Sequence, residues 1–536
     1  MEKIKSIEEK IIRECYKKPP KKPDDINVIK RRILRAHSGG GTPPTSTQLL
    51  KAYHKLVKEN KVKPNLALEN VLQRRAVRTM SGVTIVTALT KPYPCPGLCT
   101  YCPTEARMPK SYISDEPAAA RALALEFDPY EQTWRRLEAL RKNGHPTDKV
   151  ELIIKGGTWN SYPITYQYWF IARCFEACNR VRVSKVSEKM TLDELRAAMI
   201  KIQNKNETAK HRIIGLTLET RPDFITEKTI LAMREMGTTR IEIGVQHIDE
   251  KIMKMTKRGH GLKETVDASR LLRQYGFKVD YHLMPQLPFS TPAKDLKMLR
   301  QIFTDNRLRP DMIKIYPCTV VRNSELYEWV KNGTFKPYAD KHLLRILKEF
   351  KADVPYYLRI SRLIRDIPSH HIVAGNMVTN LRQVIQAEMK TEGKTCHCLR
   401  CREVGHQNEI DWKKEKIKKF VDQYETSGGQ EYFMSFENET RDAVLAFCRF
   451  RIDPAGIYPA FIRELHVYGQ SVEIAGRKKG ASQHTGFGKE LVQTAMDICK
   501  KNKIPRLAVI SGVGVRDYYR KLGAKLDGNY MVFDVK

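Results

Sequence analysis

Between residues 82 and 317 the chain alternates short β-branched runs with longer segments whose apolar residues recur every three to four positions. The runs are "GVTIVTAL", "KVELIIKGG", "NRVRVS", "HRIIGLTLE", "TRIEIGVQ", "FKVDYHLMP" and "DMIKIYP". Strands interleaved with helical periodicity predict successive βα units on a parallel sheet, closed or partly closed like a TIM barrel, with the active face at the strand C-termini. Chemically loaded residues fall there. Three cysteines follow the first run, Gly156 and Gly157 the second, Glu219 and Arg221 the fourth and Gln246 the fifth, while His282 lies within the sixth.

The flanks read differently. Residues 1–80 combine helical patterns ("SIEEKIIRECYKK", "STQLLKAYHKLVKEN") with the loop "AHSGGGTPPTST" and end in "LQRRAVRT". After a helical stretch near 339–351 comes "CHCLRCREVGH", then a charged linker helix over "DWKKEKIKKFVDQYE". The strands "DAVLAFCRFRI" and "AFIRELHVYG", the helix "QHTGFGKELVQTAMDICKK", the strand "RLAVISG" and a last helix complete a separate α+β domain. The organisation expected is a basic helical module (1–80), a (βα) partial barrel (81–390), a metal-binding linker (391–410) and an α+β domain (411–536).

Charge narrows the partners. The 536 residues carry 95 Lys+Arg against 61 Asp+Glu, a formal net charge of +34, and the first 80 residues hold 20 against 8, a net of +12. Neutralised phosphates release condensed counterions, so a polyanion, nucleic acid first, is the favoured partner. No run approaches a membrane span, and "MEKIKSIEEKIIREC" lacks the apolar block of a signal peptide, so a soluble cytoplasmic protein without membrane contact is expected. Six of the 12 cysteines fall in two tight clusters, which is metal-ligand rather than disulfide spacing.

"PYPCPGLCTYCP" places Cys95, Cys99 and Cys102 as C-x3-C-x2-C. Three thiols and a nearby histidine can hold a structural zinc; three thiolates can also bind three irons of a 4Fe-4S cluster and leave the fourth open. Directly after the first strand of a βα-repeat domain, this motif resembles the radical S-adenosylmethionine (SAM) superfamily. The resemblance implies SAM chelated at the open iron, an external electron donor, and SAM contacts from Gly156, Gly157, Glu219, Arg221, Gln246 and His282. The glycine pair lets backbone approach where a side chain would block it.

"QHTGFGKEL" resembles the pyrophosphate loop of GNAT acetyltransferases, in which backbone N–H groups and a helix N-terminus hold coenzyme A. That implies acetyl-CoA contacts from Gln483, Gly486, Phe487 and Gly488, and from the strand residues Glu464, Leu465 and His466. Tyr518 or Tyr519, with Tyr518 preferred, would protonate the leaving thiolate.

A radical-SAM domain followed by a GNAT domain, together with "KGGTW", "LTLETRPD", "IEIGVQH", "YHLMPQLP", "RDIP", "CREVG", "RELHVYG", "HTGFGKEL" and "ISGVGVRDYY", resembles the family of the catalytic subunit of Elongator over nearly the whole chain. The short first cysteine gap is that of its stand-alone archaeal and bacterial members. The resemblance implies carboxymethylation of the wobble uridine of tRNA at carbon 5 from SAM and acetyl-CoA, with Lys149 also linked to acetyl-CoA. "CHCLRCREVGH" supplies Cys396, Cys398 and Cys401 as C-x-C-x2-C, and a structural zinc is expected there, with Cys318 as fourth ligand or His406 as the local alternative. Basic segments at 1–80, Arg107, Lys110 and "KIKK" would grip the anticodon stem-loop. Oligomeric state is left open, a homodimer included. The competing expectation is a protein lysine acetyltransferase whose iron-sulfur cluster is only structural.

Overall fold

The computed structural model describes residues 6–36, 43–73, 81–181, 183–407, 415–468 and 486–535. Four helices, Ile7–Lys17, Pro23–Arg35, Ser46–Lys58 and Leu66–Leu72, open the described chain. Their apolar stripes meet in a small core of Ile11, Ile12, Leu49, Leu50, Tyr53 and Leu56, and side chains of Ser6, Thr45 and Asn65 cap three of the four N-termini.

The central domain is a seven-stranded parallel sheet: β1 (Thr84–Leu89), β2 (Lys149–Lys155), β3 (Arg212–Thr220), β4 (Arg240–Gln246), β5 (Lys278–Leu283), β6 (Met312–Ile315) and, beyond the short β7 (Val320–Val321), β8 (Arg359–Arg362). The order is sequential and every pairing is parallel, as expected of βα units curling into an open barrel. β7 pairs outside this sheet with β9 (Ile372–Ala374).

None of the described residues of the run "NRVRVS" is in a strand. β2 pairs directly with β3, Val150 opposite Ile213, which leaves no place between them, and Val183 is 84% exposed. Alternation without a buried face has nothing to hold it in a sheet.

The second sheet is mixed, in the order β10-β11-β12-β13-β14-β16-β15, from β10 (Ile417–Thr426), β11 (Gly429–Asn438), β12 (Val444–Ile452), β13 (Ala460–Val467), β14 (Arg506–Val509), β15 (Lys525–Asp527) and β16 (Tyr530–Asp534). The charged linker helix expected over 411–425 is corrected: its described part from Ile417 is strand β10. "TSGG" makes a tight turn with Ser427 and Gly428 both at positive φ, and that turn pairs β10 antiparallel with β11. Lysines 416, 418 and 419 are exposed there on an edge strand, where charge discourages further pairing. Helix Phe487–Lys501 packs its apolar face (Leu491, Val492, Ala495, Cys499) on this sheet.

The second sheet docks on the N-terminal end of the barrel through buried ion pairs. Arg463 on β13 donates twice to Asp311, just ahead of β6, at 2.8 and 2.5 Å. Lys278, the first residue of β5, lies 3.3 Å from Glu464 on β13. A Cβ on Gly512 would stand 2.0 Å from the Ile214 carbonyl oxygen, so only glycine permits this approach to β3.

Candidate active site

Alternate residues of each barrel strand point inward, and they line a single cavity of about 950 Å³ that runs the length of the bore. Cys95, Cys102, Gly157, Glu219, Arg221, Gln246 and His282 line its C-terminal end; Glu464, Leu465 and His466 of β13, with Tyr519, line the other. Residues expected to serve two chemistries therefore face one cavity.

The three cysteines have separate anchors. Cys95 Sγ lies 3.6 Å from Thr158 Oγ1, and Cys99 Sγ accepts from Arg258 Nη1 at 3.4 Å. A hydrogen bond shared with Cys102, together with Arg258, holds the Cys99 thiol well below its usual range despite burial. Among the described residues they do not gather into the close group that one ion requires.

Gly156 has φ +143, and a Cβ there would meet Thr90 Oγ1 at 1.7 Å; Gly157 has φ +88. Both turn the chain sharply at the end of β2, as only glycine does at low cost. Arg221 pairs with Asp223 at 2.8 Å and brings its Nη1 to 2.3 Å from where a Gly97 Cβ would stand, which ties β3 to the cysteine loop. Gln246 ends β4 at φ 68.

His282 bridges two carboxylates: Nε2 is 3.1 Å from Glu242 and Nδ1 is 3.5 Å from Glu219. Glu219 also takes Tyr112 OH at 2.6 Å and Lys155 Nζ at 3.0 Å. Burial opposes charge here, but Lys314 and Lys155 hold Glu242 well below the carboxylate range. Tyr112, Lys155, Glu242, Arg258, Asp280 and Lys314 were missed as site residues. The signal was available for the strand residues: single charges at period two inside "KVELIIK", "RIEIGVQ", "KVDYHL" and "MIKI" mark an inward polar face.

At the other end, β13 and β14 pair only at Phe461–Ala508 and Ile462–Val509 and then part. Among the described residues, none pairs with the backbone of Glu464, Leu465 and His466 on the β14 side. Gly486, at φ +84, leads into helix Phe487–Lys501, and the Tyr518 hydroxyl reaches to 2.8 Å from where a Gly488 Cβ would stand. Phe487 stacks on Phe436 at 4.4 Å. Tyr519 is buried and lines the cavity, whereas Tyr518, edge-on to it at 5.2 Å, is not part of that lining; burial pushes the Tyr518 phenol up to about 12. Gln483 lies outside the described residues. Lys149 stands at the N-terminal start of β2, outside the cavity lining, on the barrel edge where Gly514 meets Arg212.

Cys396, Cys398 and Cys401 bring their sulfurs within 4.8 Å of one another, and buried Lys351 lies 3.1 Å from Cys396 Sγ. Thiolates tetrahedral about zinc stand about 3.8 Å apart, so the triplet fits such an ion. Cys318, expected as the fourth ligand, is not in this group, and neither is His406. Cys318 lies beyond the C-terminal end of β6, packed in the apolar cluster with Leu287, Val320 and Cys99, and burial pushes its thiol up to about 12. The triplet docks at the opposite end, where Leu399 N–H donates to the Leu358 carbonyl just before β8. The sheet separates them.

Residues 93–300 match the model of the radical SAM superfamily and residues 310–391 that of the radical SAM C-terminal domain. The open parallel barrel with a cysteine loop after β1 is thus that of a radical SAM enzyme, joined to a second, mixed-sheet domain. Over 98% of its length, the chain is 41% identical to the tRNA uridine(34) acetyltransferase of Methanocaldococcus infernus, covering 98% of that protein. It is 35% identical to human Elongator complex protein 3, over 86% of each. The solved structure of Methanocaldococcus infernus Elp3 with N-terminal residues 1–46 deleted superposes with a TM-score of 0.73 at 40% identity, covering 84% of this chain and 99% of that one. The chain belongs to the Elp3 family of tRNA uridine(34) acetyltransferases.

Proposed function

We propose that this enzyme carboxymethylates carbon 5 of the wobble uridine of tRNA, using acetyl-CoA bound at β13 and SAM bound at the barrel's cysteine loop. The observation that carries the reading is the single cavity joining Cys95 and Cys102 to Glu464, Leu465 and His466. Cys95, Cys99 and Cys102 would hold the 4Fe-4S cluster, with Gly156, Gly157, Glu219, Arg221, Gln246 and His282 around SAM. When bound, the pair supplies a 5′-deoxyadenosyl radical able to take a hydrogen atom from the acetyl methyl group.

The chain's own residues do the rest. The parted β13 and β14 favour a GNAT reading of the second domain, because the free backbone of β13 can hydrogen-bond an acetyl-pantetheine arm. The N-terminus of helix Phe487–Lys501, with Gly486 and Gly488, offers N–H groups to the pyrophosphate, and Tyr518 protonates the departing thiolate. Lys149, at the start of β2, would contribute to the acetyl-CoA site from outside the cavity lining. Zinc held by Cys396, Cys398 and Cys401 would brace the junction, where Arg402 reaches both Glu437 of β11 and the Tyr356 carbonyl. The N-terminal helices and exposed Arg107 would each offer basic surface to the anticodon stem-loop. No helix among the described residues is long and apolar enough to cross a membrane.

The test is anaerobic incubation of the reconstituted enzyme with tRNA, SAM and methyl-labelled acetyl-CoA. Label on the wobble uridine is expected, and its loss when Cys95, Cys99 and Cys102 are all changed to alanine. A lysine peptide labelled equally well by that triple variant would refute the reading in favour of protein acetylation.

A further inference from the structure

Three residues of β5 share the inward face: Lys278, Asp280 and His282. Lys278 pairs with Glu464 at the acetyl-CoA end and His282 with Glu219 and Glu242 at the SAM end. Residues two apart on a strand stand about 7 Å apart, so Asp280 lies midway between the two chemistries.

Asp280 is 0% exposed, and neither carboxylate oxygen has a hydrogen-bond partner among the described residues. Buried carboxylates are ordinarily satisfied, because an unmet acceptor costs about 1–3 kcal/mol. Its neighbours are already engaged. Glu242, directly opposite on β4, takes Lys314 and His282; Arg240 holds Glu151 at 2.6 Å; Lys155 holds Glu219. Arg240 Nε and Glu242 Oε1 are likewise unmet, so the wall of the cavity at this level holds a group of polar atoms, both Asp280 oxygens among them, with no partner among the described residues.

Resting on the function proposed above, we infer that Asp280 is the general base for the water that cleaves the thioester once the new carbon–carbon bond exists. The water oxygen bonds to the thioester carbonyl carbon while Asp280 takes one of its protons. The carbon–sulfur bond breaks with its electron pair on sulfur, which takes the Tyr518 proton; the proton held by Asp280 passes to solvent water, which restores the Tyr518 hydroxyl, and the carboxylic acid formed ionises. The products are free CoA thiol and a carboxymethyl group, with water the sole co-reactant. Burial pushes the Asp280 carboxyl up to about 7, against the pull of Lys314, and Glu242 adds to the rise; such a group can both accept and return a proton near neutrality. The charged groups facing it are Arg240 and Glu242 from β4, Lys314 from β6, Lys155 from β2 and Glu219 from β3, with Lys278 and His282 on its own strand.

Two products separate this inference from the reading beneath it. In the holoenzyme with tRNA, SAM and acetyl-CoA, 5′-deoxyadenosine reports the radical step and free CoA thiol reports cleavage. Asp280→Asn should keep 5′-deoxyadenosine formation within about threefold and slow CoA release by about 10²-fold or more; Asp280→Glu should restore part of it. In the unaltered enzyme, CoA release should rise with pH through about 7 as the base loses its proton, while 5′-deoxyadenosine formation does not follow that titration. CoA release unchanged in Asp280→Asn, or a flat profile in the unaltered enzyme, overturns the role of Asp280 even if the variant folds poorly. An unaltered enzyme that makes no 5′-deoxyadenosine overturns the underlying reading.

Discussion

Removing the Asp311 carboxylate should loosen the joint between the barrel and the second sheet. Asp311 is 1% exposed and accepts from Arg463 Nη1 and Nη2 at 2.8 and 2.5 Å and from the Val279 N–H at 2.9 Å. Arg449 lies 3.7 Å away. Breaking one side of a buried pair costs about 3–5 kcal/mol, because a charge is left buried without its partner. Arg463 keeps Glu431 at 2.9 Å and Arg449 keeps Glu464 at the same distance, so the lower figure applies to Asp311→Ala. About 3 kcal/mol corresponds to a local opening constant raised by about 10²-fold. Hydrogen–deuterium exchange at β5, β6 and β13 reads that opening directly, and amides of the N-terminal helices serve as the unaffected control. The Asp311→Ala/Arg463→Ala double variant should cost less than the sum of the single changes. Exchange at β13 within threefold of the unaltered enzyme, or additivity within about 0.5 kcal/mol, would refute the assignment of this pair as the principal clamp.

Two further outcomes are expected. Gly156→Ala forces a Cβ to 1.7 Å from Thr90 Oγ1 at a φ of +143; SAM affinity by calorimetry should fall by about tenfold or more while the visible absorbance of the reconstituted cluster persists. Acid should undock the second sheet: despite burial, Lys278 and Arg449 hold Glu464 down to about 2, whereas an unfolded glutamate titrates near about 4.3. A depressed carboxylate contributes fully above its unfolded value and loses that contribution as pH falls toward its folded one. After correction for intrinsic exchange, protection at β13 should thus be level from about pH 8 to 5 and drop below about 4; protection unchanged at pH 3 would contradict the assigned pairing.

The ends of the strands were readable one residue at a time. A glycine pair, a cysteine triplet and a lone arginine each follow a β-branched run, and a βα unit delivers such residues to one face whatever the rest of the molecule does. The interior of the bore was less readable. Lys155, Glu242, Asp280 and Lys314 look like ordinary strand polars until closure of the sheet turns their alternating positions inward and removes water from them. "NRVRVS" alternates as well as any true strand but has no pairing partner free, and "KIKKFVDQYE" carries a helix-like charge load yet pairs because "TSGG" reverses the chain.

Element type, the cysteine chemistry and the order of domains were thus written locally, in spacing and periodicity, where each residue acts on its near neighbours. Which end of the barrel the second sheet caps, that Cys318 lies across the sheet from Cys396, Cys398 and Cys401, and that the residues expected to serve two chemistries line one cavity were decided by tertiary structure. Those outcomes depend on pairings such as Arg463 with Asp311, 152 positions apart, whose strength exists only once folding has excluded water from both partners.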